Sequence, residues 1–206
     1  MRLHWLRKSG SARLILAFGG WVLGPSIFRN MTGSEDVLFV EDYRQLDLDP
    51  GFIETYDEVY LLAYSFGVVS ALHWLANVQW KPARLVAVNG TAYPADREKG
   101  IPPELLKAAA DGLSVSSLAR FTRRCGSASP PAEFDIKAAR EELHFIADRG
   151  PARELPFDRI WISTGDRIIS AHAQEAGWAR QRSVVRHIAS FHQPFNQGQS
   201  WGDWFN

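Results

Sequence analysis

An uncharged segment with a polar break at its centre constrains the fold of this chain more than any other feature of the sequence. Residues 59–80 contain no Asp, Glu, Lys or Arg, and the segment is long enough to imitate a membrane-spanning helix. It nevertheless divides at residues 65–67, where a Ser-Phe-Gly sequence separates strand-like residues 59–64 from apolar residues at helical spacing over 68–76. This pattern predicts a buried strand, a tight turn and a buried helix in the middle of a sheet, and not a membrane span.

Short apolar runs recur along the chain and predict further strands of this sheet. Strands are predicted at residues 14–18, 37–40, 59–64, 85–88, 160–164 and 184–188, and helices within 25–31, from residue 67 and over 171–180. Buried strands that alternate with helices form a mostly parallel sheet covered on both faces. The length of 206 residues and the apolar content of 46% fit one domain with a full core.

Residues 93–154 interrupt the alternation of strands and helices. Leu105 and Ala109 have helical spacing, a further helix is predicted over 136–147, and a loop rich in Ser and Pro is predicted at 127–131. A segment of this size would make only a marginal core by itself. We therefore expect a single domain with a helical insertion that forms a lid, and a separate domain is the weaker alternative.

Charge and cysteine content exclude several classes of protein. The chain has 23 basic and 23 acidic residues, whereas a protein that binds nucleic acid is normally basic. Cys125 is the one cysteine, which excludes an internal disulfide and a cysteine-based zinc site. The N-terminus is basic but has no long apolar stretch, so we predict no signal peptide. We expect a cytoplasmic protein with neither a nucleic-acid nor a membrane partner.

The residues around the polar break have the pattern of a nucleophile elbow. In Ala63-Tyr64-Ser65-Phe66-Gly67 a serine stands between a predicted strand and a predicted helix, with a small residue two positions away on either side. In α/β-hydrolases such a turn lifts the serine hydroxyl above the carboxyl edge of the sheet, and the small residues let strand and helix approach closely. Ser65 is therefore the candidate nucleophile, and the alternative is a small core residue at a strand end.

A serine nucleophile needs a base, and the base needs a residue that orients it. In α/β-hydrolases these residues follow the order Ser, acid, His along the chain. Asp166 follows the fifth predicted strand and His192 follows the sixth, so both are expected at the sheet edge where Ser65 lies. Two alternatives stay open: Asp166 caps the helix that follows it, and His187, which lies within strand-like sequence, is the base.

The oxyanion of a tetrahedral intermediate needs backbone donors that are already in place. One is expected to be the N–H of Phe66, directly after Ser65, and the other comes from the loop after an early strand. The Phe-Gly-Gly-Trp sequence at residues 18–21 is that loop. The N–H of Trp21 is therefore the second candidate, and its indole is expected to line the pocket.

Taken together, these segments resemble the BioG-type pimeloyl-[acyl-carrier protein] methyl ester esterases of bacterial biotin synthesis, over nearly the whole chain. The matching segments are Phe18-Gly19-Gly20-Trp21, Asp42-Tyr43-Arg44, Ala63-Tyr64-Ser65-Phe66-Gly67, Val88-Asn89-Gly90-Thr91, Gly100-Ile101-Pro102, Phe121-Thr122-Arg123-Arg124-Cys125, Gly165-Asp166-Arg167-Ile168-Ile169 and His192-Gln193-Pro194-Phe195. The family elbow is similar to Ala-Trp-Ser-Met-Gly. Tyr64 and Phe66 depart from it, while the serine and its small neighbours match.

The resemblance implies an α/β-hydrolase that removes the methyl group from a pimeloyl chain carried on acyl carrier protein. Ser65, His192 and Asp166 would act as nucleophile, base and orienting acid, with no metal and no organic cofactor. Two other functions stay open. Another serine esterase or thioesterase would share this triad and differ only in substrate, and a catalytically silent hydrolase fold would bind a ligand or a protein.

The carrier protein that the resemblance implies is acidic, so basic residues are expected on the insertion. Arg120, Arg123 and Arg124 share one face if their segment is helical. They would attract the carrier and bind its phosphopantetheine phosphate. Residues 104–154 nevertheless contain eight basic and eight acidic residues, so a solvated helix of mixed charge is the alternative.

Overall fold

The computed structural model describes residues 1–78, 80–126, 135–196 and 198–206, which contain a seven-stranded sheet and its flanking helices. The strands are β1 (Arg2–Arg7), β2 (Arg13–Phe18), β3 (Asp36–Glu41), β4 (Glu58–Tyr64), β5 (Arg84–Val88), β6 (Arg159–Ser163) and β7 (Val185–Ile188). The α-helices are α1 (Phe66–Asn77), α2 (Pro103–Asp111), α3 (Val115–Cys125), α4 (Ile136–Arg149), α5 (Ala171–Gly177) and α6 (Gly202–Phe205).

The order of the strands determines where a ligand site is expected. The sheet has the order β1-β3-β2-β4-β5-β6-β7, and all neighbouring strands are parallel except β1, which is antiparallel to β3. The direction in which successive strands are added therefore reverses between β2 and β4. In open α/β sheets, ligands bind beyond the carboxyl ends of the strands at such a reversal. The loops after β2 and β4 lie at this place.

Successive residues of the central strand β2 point to opposite faces of the sheet. Leu14, Leu16 and Phe18 belong to the core that includes α1, whereas Ile15 and Ala17 belong to a second core that includes the C-terminal aromatic residues. A parallel strand that is buried on both faces is a continuous apolar run in sequence. The six predicted strands agree with the structure to within one residue at each end. Five of them are such runs, and the sixth, β7, is an edge strand with Val185 and Ile188 at its ends.

The mostly parallel sheet with flanking helices confirms the predicted fold class, but the sequence does not predict β1. Its side chains are exposed or half-buried, because β1 is an edge strand on the outside of β3. Arg2 and Arg7 stand at its ends, and Leu3 and Trp5 are exposed. An edge strand needs no continuous apolar run, and this one has none.

The helix predicted over residues 171–180 is shorter in the structure. It ends at Gly177, and a 3-10 helix follows at Ala179–Val184. Between them, Trp178 is fully buried and its Nε1 donates a hydrogen bond to the Gly90 carbonyl oxygen at 2.8 Å. Its backbone leaves the helical conformation to reach this position, which sequence periodicity does not reveal.

Two other predictions, one for a helix and one for a loop, have different outcomes. The helix expected within residues 25–31 is a short 3-10 helix at Pro25–Phe28. Gly24, directly before it, has a φ of 63°. The loop predicted at 127–131 lies outside the described residues. No helix in the described part of the chain combines the length and apolar character needed to cross a membrane.

Three helices, α2, α3 and α4, follow β5 and precede β6, within the range where an insertion was predicted. Side-chain caps define where α3 and α4 begin. The Ser114 hydroxyl accepts from the N–H of Ser117, and the Asp135 carboxylate accepts from the N–H groups of Lys137 and Ala138.

Helix α4 is joined to the loops after β2 and β3 by buried hydrogen bonds. Glu142, only 8% exposed, accepts from the N–H of Tyr43 at 3.0 Å, and burial raises the pKa of Glu142 to about 7. Arg149 donates to the Tyr43 carbonyl oxygen, and Trp21 Nε1 donates to the Ala139 carbonyl oxygen, both at 2.9 Å. These bonds fix the insertion next to the carboxyl edge of the sheet.

Candidate active site

Ser65 occupies the turn between β4 and α1 in a backbone conformation that residues with a side chain rarely adopt. Its φ is 57° and its ψ is −128°, and its N–H donates to the Val88 carbonyl oxygen at 2.9 Å. Gly67 permits the turn, because a Cβ there would lie 2.4 Å from the carbonyl oxygen of Phe18 and 2.5 Å from that of Gly19. Such strain persists only where the surroundings impose it, and it clusters at functional sites.

The structure brings Ser65, His192 and Asp166 into one hydrogen-bonded row. His192 Nε2 is 2.9 Å from Ser65 Oγ, and His192 Nδ1 is 2.7 Å from Asp166 Oδ2. An ionised carboxylate can only accept, so Nδ1 donates to it and Nε2 is left to accept the Ser65 hydroxyl proton. The side chains of His192 and Asp166 are fully buried. The arrangement is the one predicted, and the catalytic roles stay a prediction.

The Asp166 carboxylate is surrounded by hydrogen-bond donors. The N–H groups of Ile168 and Ile169 donate to Oδ1 at 2.8 and 3.0 Å, and Gln174 Nε2 donates to Oδ2 at 2.9 Å. Helix α5 is capped by Ser170 instead, whose hydroxyl accepts from the N–H of Ala173. Asp166 therefore stabilises the turn before α5 with one oxygen and contacts His192 with the other.

Asn89 connects three chain segments beneath the site. It follows β5, is fully buried and has a φ of 47°. Its Nδ2 donates to Ser163 Oγ and to the His192 carbonyl oxygen, both at 2.8 Å, and its Oδ1 accepts from the N–H of Ser163 at 2.7 Å. These bonds hold the end of β6 and the backbone of His192 at fixed positions.

A cavity of about 140 Å³ opens onto Ser65. Trp21 and Phe66, the predicted oxyanion residues, line it together with apolar side chains of α2, α3 and α4. Trp21 packs edge-on against Phe121, with ring centroids 5.1 Å apart. Four larger grooves in the described part of the chain, of about 310, 420, 410 and 190 Å³, include none of the three triad residues in their linings.

The three predicted basic residues lie on α3 and are exposed, but they differ in position. Arg124 is the charged residue in the lining of the Ser65 cavity and donates a hydrogen bond to the Arg167 carbonyl oxygen. Arg120 and Arg123 lie on α3 outside that lining. The helical conformation puts the three guanidinium groups on neighbouring positions of one face.

The other candidate groups have different surroundings. His187, the alternative base, lies on β7 with its Nε2 2.9 Å from Glu175 Oε1. Cys125 is fully buried, and burial raises the pKa of its thiol, so the sulfur is not a thiolate nucleophile. Across the described ranges, no group of three or more His, Cys, Asp or Glu side chains is placed to hold a metal ion.

Sequence analysis did not identify Asn89 or Gln174 as site residues. Asn-Gly directly after a buried strand is a usable signal for Asn89, because Asn tolerates positive φ better than most residues. The sequence signal for Gln174 is weaker. Gln174 shares the buried face of α5 with Ala173 and Gly177, but helical spacing alone does not show that the face meets Asp166.

Comparison with known proteins identifies the family and the fold of this chain. A family model described as pimeloyl-ACP methyl esterase BioG matches residues 1–204. A malonyl-[acyl-carrier protein] O-methyltransferase of Bacteroides fragilis (strain 638R) is 29% identical over 192 residues, which cover 86% of this chain. The chain spans only 39% of the length of that relative.

Solved structures share the fold. BioG from Haemophilus influenzae has a TM-score of 0.87 and 25% identity, with 100% of both chains covered. An esterase from Exiguobacterium antarcticum has a TM-score of 0.64 and 14% identity, with 92% of this chain and 87% of that chain covered. The α/β-hydrolase fold is therefore confirmed, and the family match extends over nearly every residue: the chain belongs to the pimeloyl-ACP methyl esterase BioG family of α/β-hydrolases.

Proposed function

We propose that this chain hydrolyses the methyl ester of a pimeloyl chain carried on acyl carrier protein. The observation that carries the proposal is the unbroken row of hydrogen bonds from Ser65 through His192 to Asp166, below an apolar cavity. Serine, imidazole and carboxylate in this arrangement perform acyl transfer to water on several unrelated folds. Membership in the BioG family supports the substrate class that we propose.

Acylation begins when Ser65 Oγ attacks the ester carbonyl carbon. His192 Nε2 takes the serine proton, which converts the ring to an imidazolium. Asp166 stabilises this imidazolium through its hydrogen bond with Nδ1. His192 then returns the proton to the methoxy oxygen, methanol leaves, and the pimeloyl chain remains as an ester of Ser65. A water molecule deprotonated by His192 cleaves this ester, which frees the carboxylate and restores the serine.

The negative charge of each tetrahedral intermediate is stabilised by backbone N–H groups. We assign this role to Phe66 and Trp21, which line the cavity with Ser65. Phe66 is the first residue of α1, so the positive end of the helix dipole adds to the stabilisation. In nucleophile elbows, a strained turn of this kind directs the serine hydroxyl and the following N–H to the same side.

The size of the cavity indicates which part of the substrate it takes. Its volume of about 140 Å³ is below the roughly 300–1,000 Å³ of sites that enclose a drug-sized ligand. It therefore accepts the methyl ester and part of the acyl chain, while the carrier protein stays outside. We propose that the whole chain is one domain in which α2, α3 and α4 form a lid over this cavity.

The carrier protein is proposed to dock beside α3. Arg120, Arg123 and Arg124 would attract its acidic surface, and Arg120 and Arg123, which lie outside the cavity lining, would contact the phosphate. The Bacteroides relative supports a carrier-bound substrate, because an O-methyltransferase that acts on malonyl-[acyl-carrier protein] forms a methyl ester on a carrier-bound acyl group.

The proposal is tested by incubating methyl pimeloyl-carrier protein with the wild type and with the Ser65→Ala variant. We expect the wild type to release methanol and the variant to release none. If the wild type leaves this ester intact but cleaves a p-nitrophenyl ester through Ser65, the substrate assignment is wrong and a different serine esterase remains. If neither ester reacts, the hydrolase assignment fails and the silent binding module takes its place.

A further inference from the structure

Gln174 is a fully buried polar side chain that the mechanism above does not use. Its Nε2 donates to Asp166 Oδ2 at 2.9 Å and to the Ile169 carbonyl oxygen at 2.8 Å. Both of these neighbours are acceptors, so they determine the orientation of the amide. Its Oε1 is buried and has no hydrogen-bond partner among the described residues. The amide oxygen of Gln174 is therefore left unpaired, while its amide nitrogen faces two acceptors, one of which is Asp166 Oδ2.

The bonds to Asp166 divide into two pairs. Oδ1 is held by two backbone N–H groups of its own turn, those of Ile168 and Ile169. Oδ2 is held by two side chains, His192 Nδ1 at 2.7 Å and Gln174 Nε2 at 2.9 Å. Without Gln174, His192 would be the one side chain bonded to Oδ2 of Asp166. No second side chain would then hold that oxygen in position for the imidazole.

We propose that Gln174 is a positioning residue for the triad, whose amide holds Oδ2 of Asp166 in line with His192 Nδ1 and shares the charge of that oxygen. The role rests on the proposed function of Ser65, His192 and Asp166. A carboxylate oxygen that accepts two hydrogen bonds attracts the imidazolium less strongly than one that accepts a single bond. Gln174 therefore affects both the geometry of the base and the pH at which the base becomes neutral.

The other titratable groups around this pair do not supply the same effect. The Tyr64 ring packs against the His192 ring at 5.3 Å, and Cys125 is close by; burial raises the pKa of both, so both are neutral near pH 7. Arg124 is exposed on α3 and donates to the Arg167 backbone. On the helix that carries Gln174, Glu175 faces His187.

The competing explanation is purely structural, because the bond from Gln174 to the Ile169 carbonyl oxygen also ties α5 to the turn before it. A structural role predicts lower thermal stability and fewer folded molecules. It does not predict a change in the pH profile of the molecules that are folded. This difference decides between the two explanations.

The test compares wild type with Gln174→Met, which keeps the length of the side chain and removes the amide. Gln181→Met is the matched control: Gln181 is a half-buried glutamine that accepts from the N–H of Phe157 and donates to the Leu155 carbonyl oxygen, away from Asp166. Hydrolysis of a p-nitrophenyl ester is followed against pH, and rates are divided by the number of reactive serines titrated with a fluorophosphonate. Gln174→Leu is a second variant if the methionine variant folds poorly.

We expect Gln174→Met to lower kcat per reactive serine by about tenfold with little change in KM, as for other residues that orient a functional group through a hydrogen bond. The acid limb of its kcat profile should move to higher pH by about half a unit or more, because protonated imidazole is held more strongly. Gln181→Met should leave that limb in place even if its melting temperature falls. A Gln174→Met profile that coincides with the wild type overturns the proposal.

A second measurement separates this inference from the proposed function. The titration of the His192 imidazole is followed by NMR of protein labelled with ¹⁵N-histidine, which needs no substrate. We expect its midpoint to move upward in Gln174→Met and to stay in place in Gln181→Met. An unmoved midpoint overturns the role of Gln174 whatever ester the enzyme cleaves, whereas a moved midpoint with no hydrolysis of the carrier-bound ester rejects only the substrate.

Discussion

At the scale of single residues, the site consists of groups whose direction of hydrogen bonding is fixed by their neighbours. Asp166 Oδ1 faces two N–H donors and must accept, and its Oδ2 faces Gln174 Nε2 and His192. The proton on His192 is thereby assigned to Nδ1, and Nε2 is left as the base for Ser65.

This geometry predicts the effect of Asp166→Asn. The N–H groups of Ile168 and Ile169 donate to the amide oxygen of the new side chain, so its amide nitrogen takes the place of Oδ2. This nitrogen faces His192 Nδ1 and donates to it, so Nδ1 must accept the hydrogen bond. The ring proton moves to Nε2, where it blocks transfer from Ser65. We expect kcat at neutral pH to fall about 10³- to 10⁴-fold with the fold intact, measured by ester hydrolysis and circular dichroism. A loss below tenfold would contradict the assignment of Asp166 as the orienting acid.

Sequence reveals part of this residue-scale arrangement. Ser65, Asp166 and His192 are predictable because each follows a strand that the sequence shows, and parallel strands bring their ends to one edge. Asn89 and Gln174 act through amide hydrogen bonds to groups that lie elsewhere in the chain. No spacing along the chain encodes such a contact. The Asn-Gly pair after β5 marks Asn89 in the sequence, but the hydrogen-bond partners of Asn89 and Gln174 emerge only from the three-dimensional structure.

At the scale of elements, predictability follows burial. Strands β2 to β6 contain apolar runs that the sequence shows directly, whereas the edge strand β1 lacks one. The other edge strand, β7, has an apolar residue only at each end, Val185 and Ile188. The early end of α5 depends on where the Trp178 indole reaches the Gly90 carbonyl oxygen. The position of α4 likewise depends on a buried carboxylate, Glu142, that looks in sequence like any other helical glutamate.

Glu142 predicts a measurable pH dependence of stability. Its pKa is raised in the folded state to about 7, from an ordinary value near 4.5, chiefly by burial. The folded state therefore binds this proton more tightly, so Glu142 contributes stability that is complete below pH ~4.5 and is lost as pH rises through about 7. Between pH 9 and 5, we expect wild type to gain on the order of 2 kcal/mol more than Glu142→Gln in the free energy of unfolding.

The measurement is urea unfolding of both proteins at several pH values. Glu141→Gln is the control, because Glu141 is the half-exposed neighbour on α4 that pairs with Arg44. Between pH 9 and pH 5, the free energy of unfolding of Glu141→Gln should change as much as that of the wild type. A stability difference between wild type and Glu142→Gln that is the same at all pH values would contradict the buried, proton-binding carboxylate.

At the scale of the whole molecule, the fold brings distant parts of the chain to one point. The loop after β2, the turn after β4 and the loops after β6 and β7 meet at the carboxyl edge, and α2 to α4 cover it. This convergence is predictable from strand order and from the position of the insertion. The depth and shape of the cavity are not, because they depend on how the insertion packs on Trp21.

Charge on the covering helices predicts a dependence on salt. Arg123 is exposed on α3 outside the cavity lining, so Arg123→Glu should lower kcat/KM for a carrier-bound ester about tenfold at low salt and spare a p-nitrophenyl ester. The effect should shrink as salt screens the charge. Lys81→Glu is the control, because Lys81 is exposed and lies just before β5, at the amino end of the strands and away from the site. This charge reversal should change neither the hydrolysis of the carrier-bound ester nor that of the p-nitrophenyl ester. Equal effects of the two variants would reject docking beside α3.

The most direct test of the central claim is to determine which bond of methyl pimeloyl-carrier protein is cleaved. The substrate contains a methyl ester at one end and a thioester to the carrier at the other, and mass spectrometry of the carrier distinguishes the two products. We predict that the carrier retains a pimeloyl chain with a free carboxylate and that methanol is released only when Ser65 is present. Release of the bare carrier thiol with methyl pimelate would contradict the account, because the enzyme would then be a thioesterase.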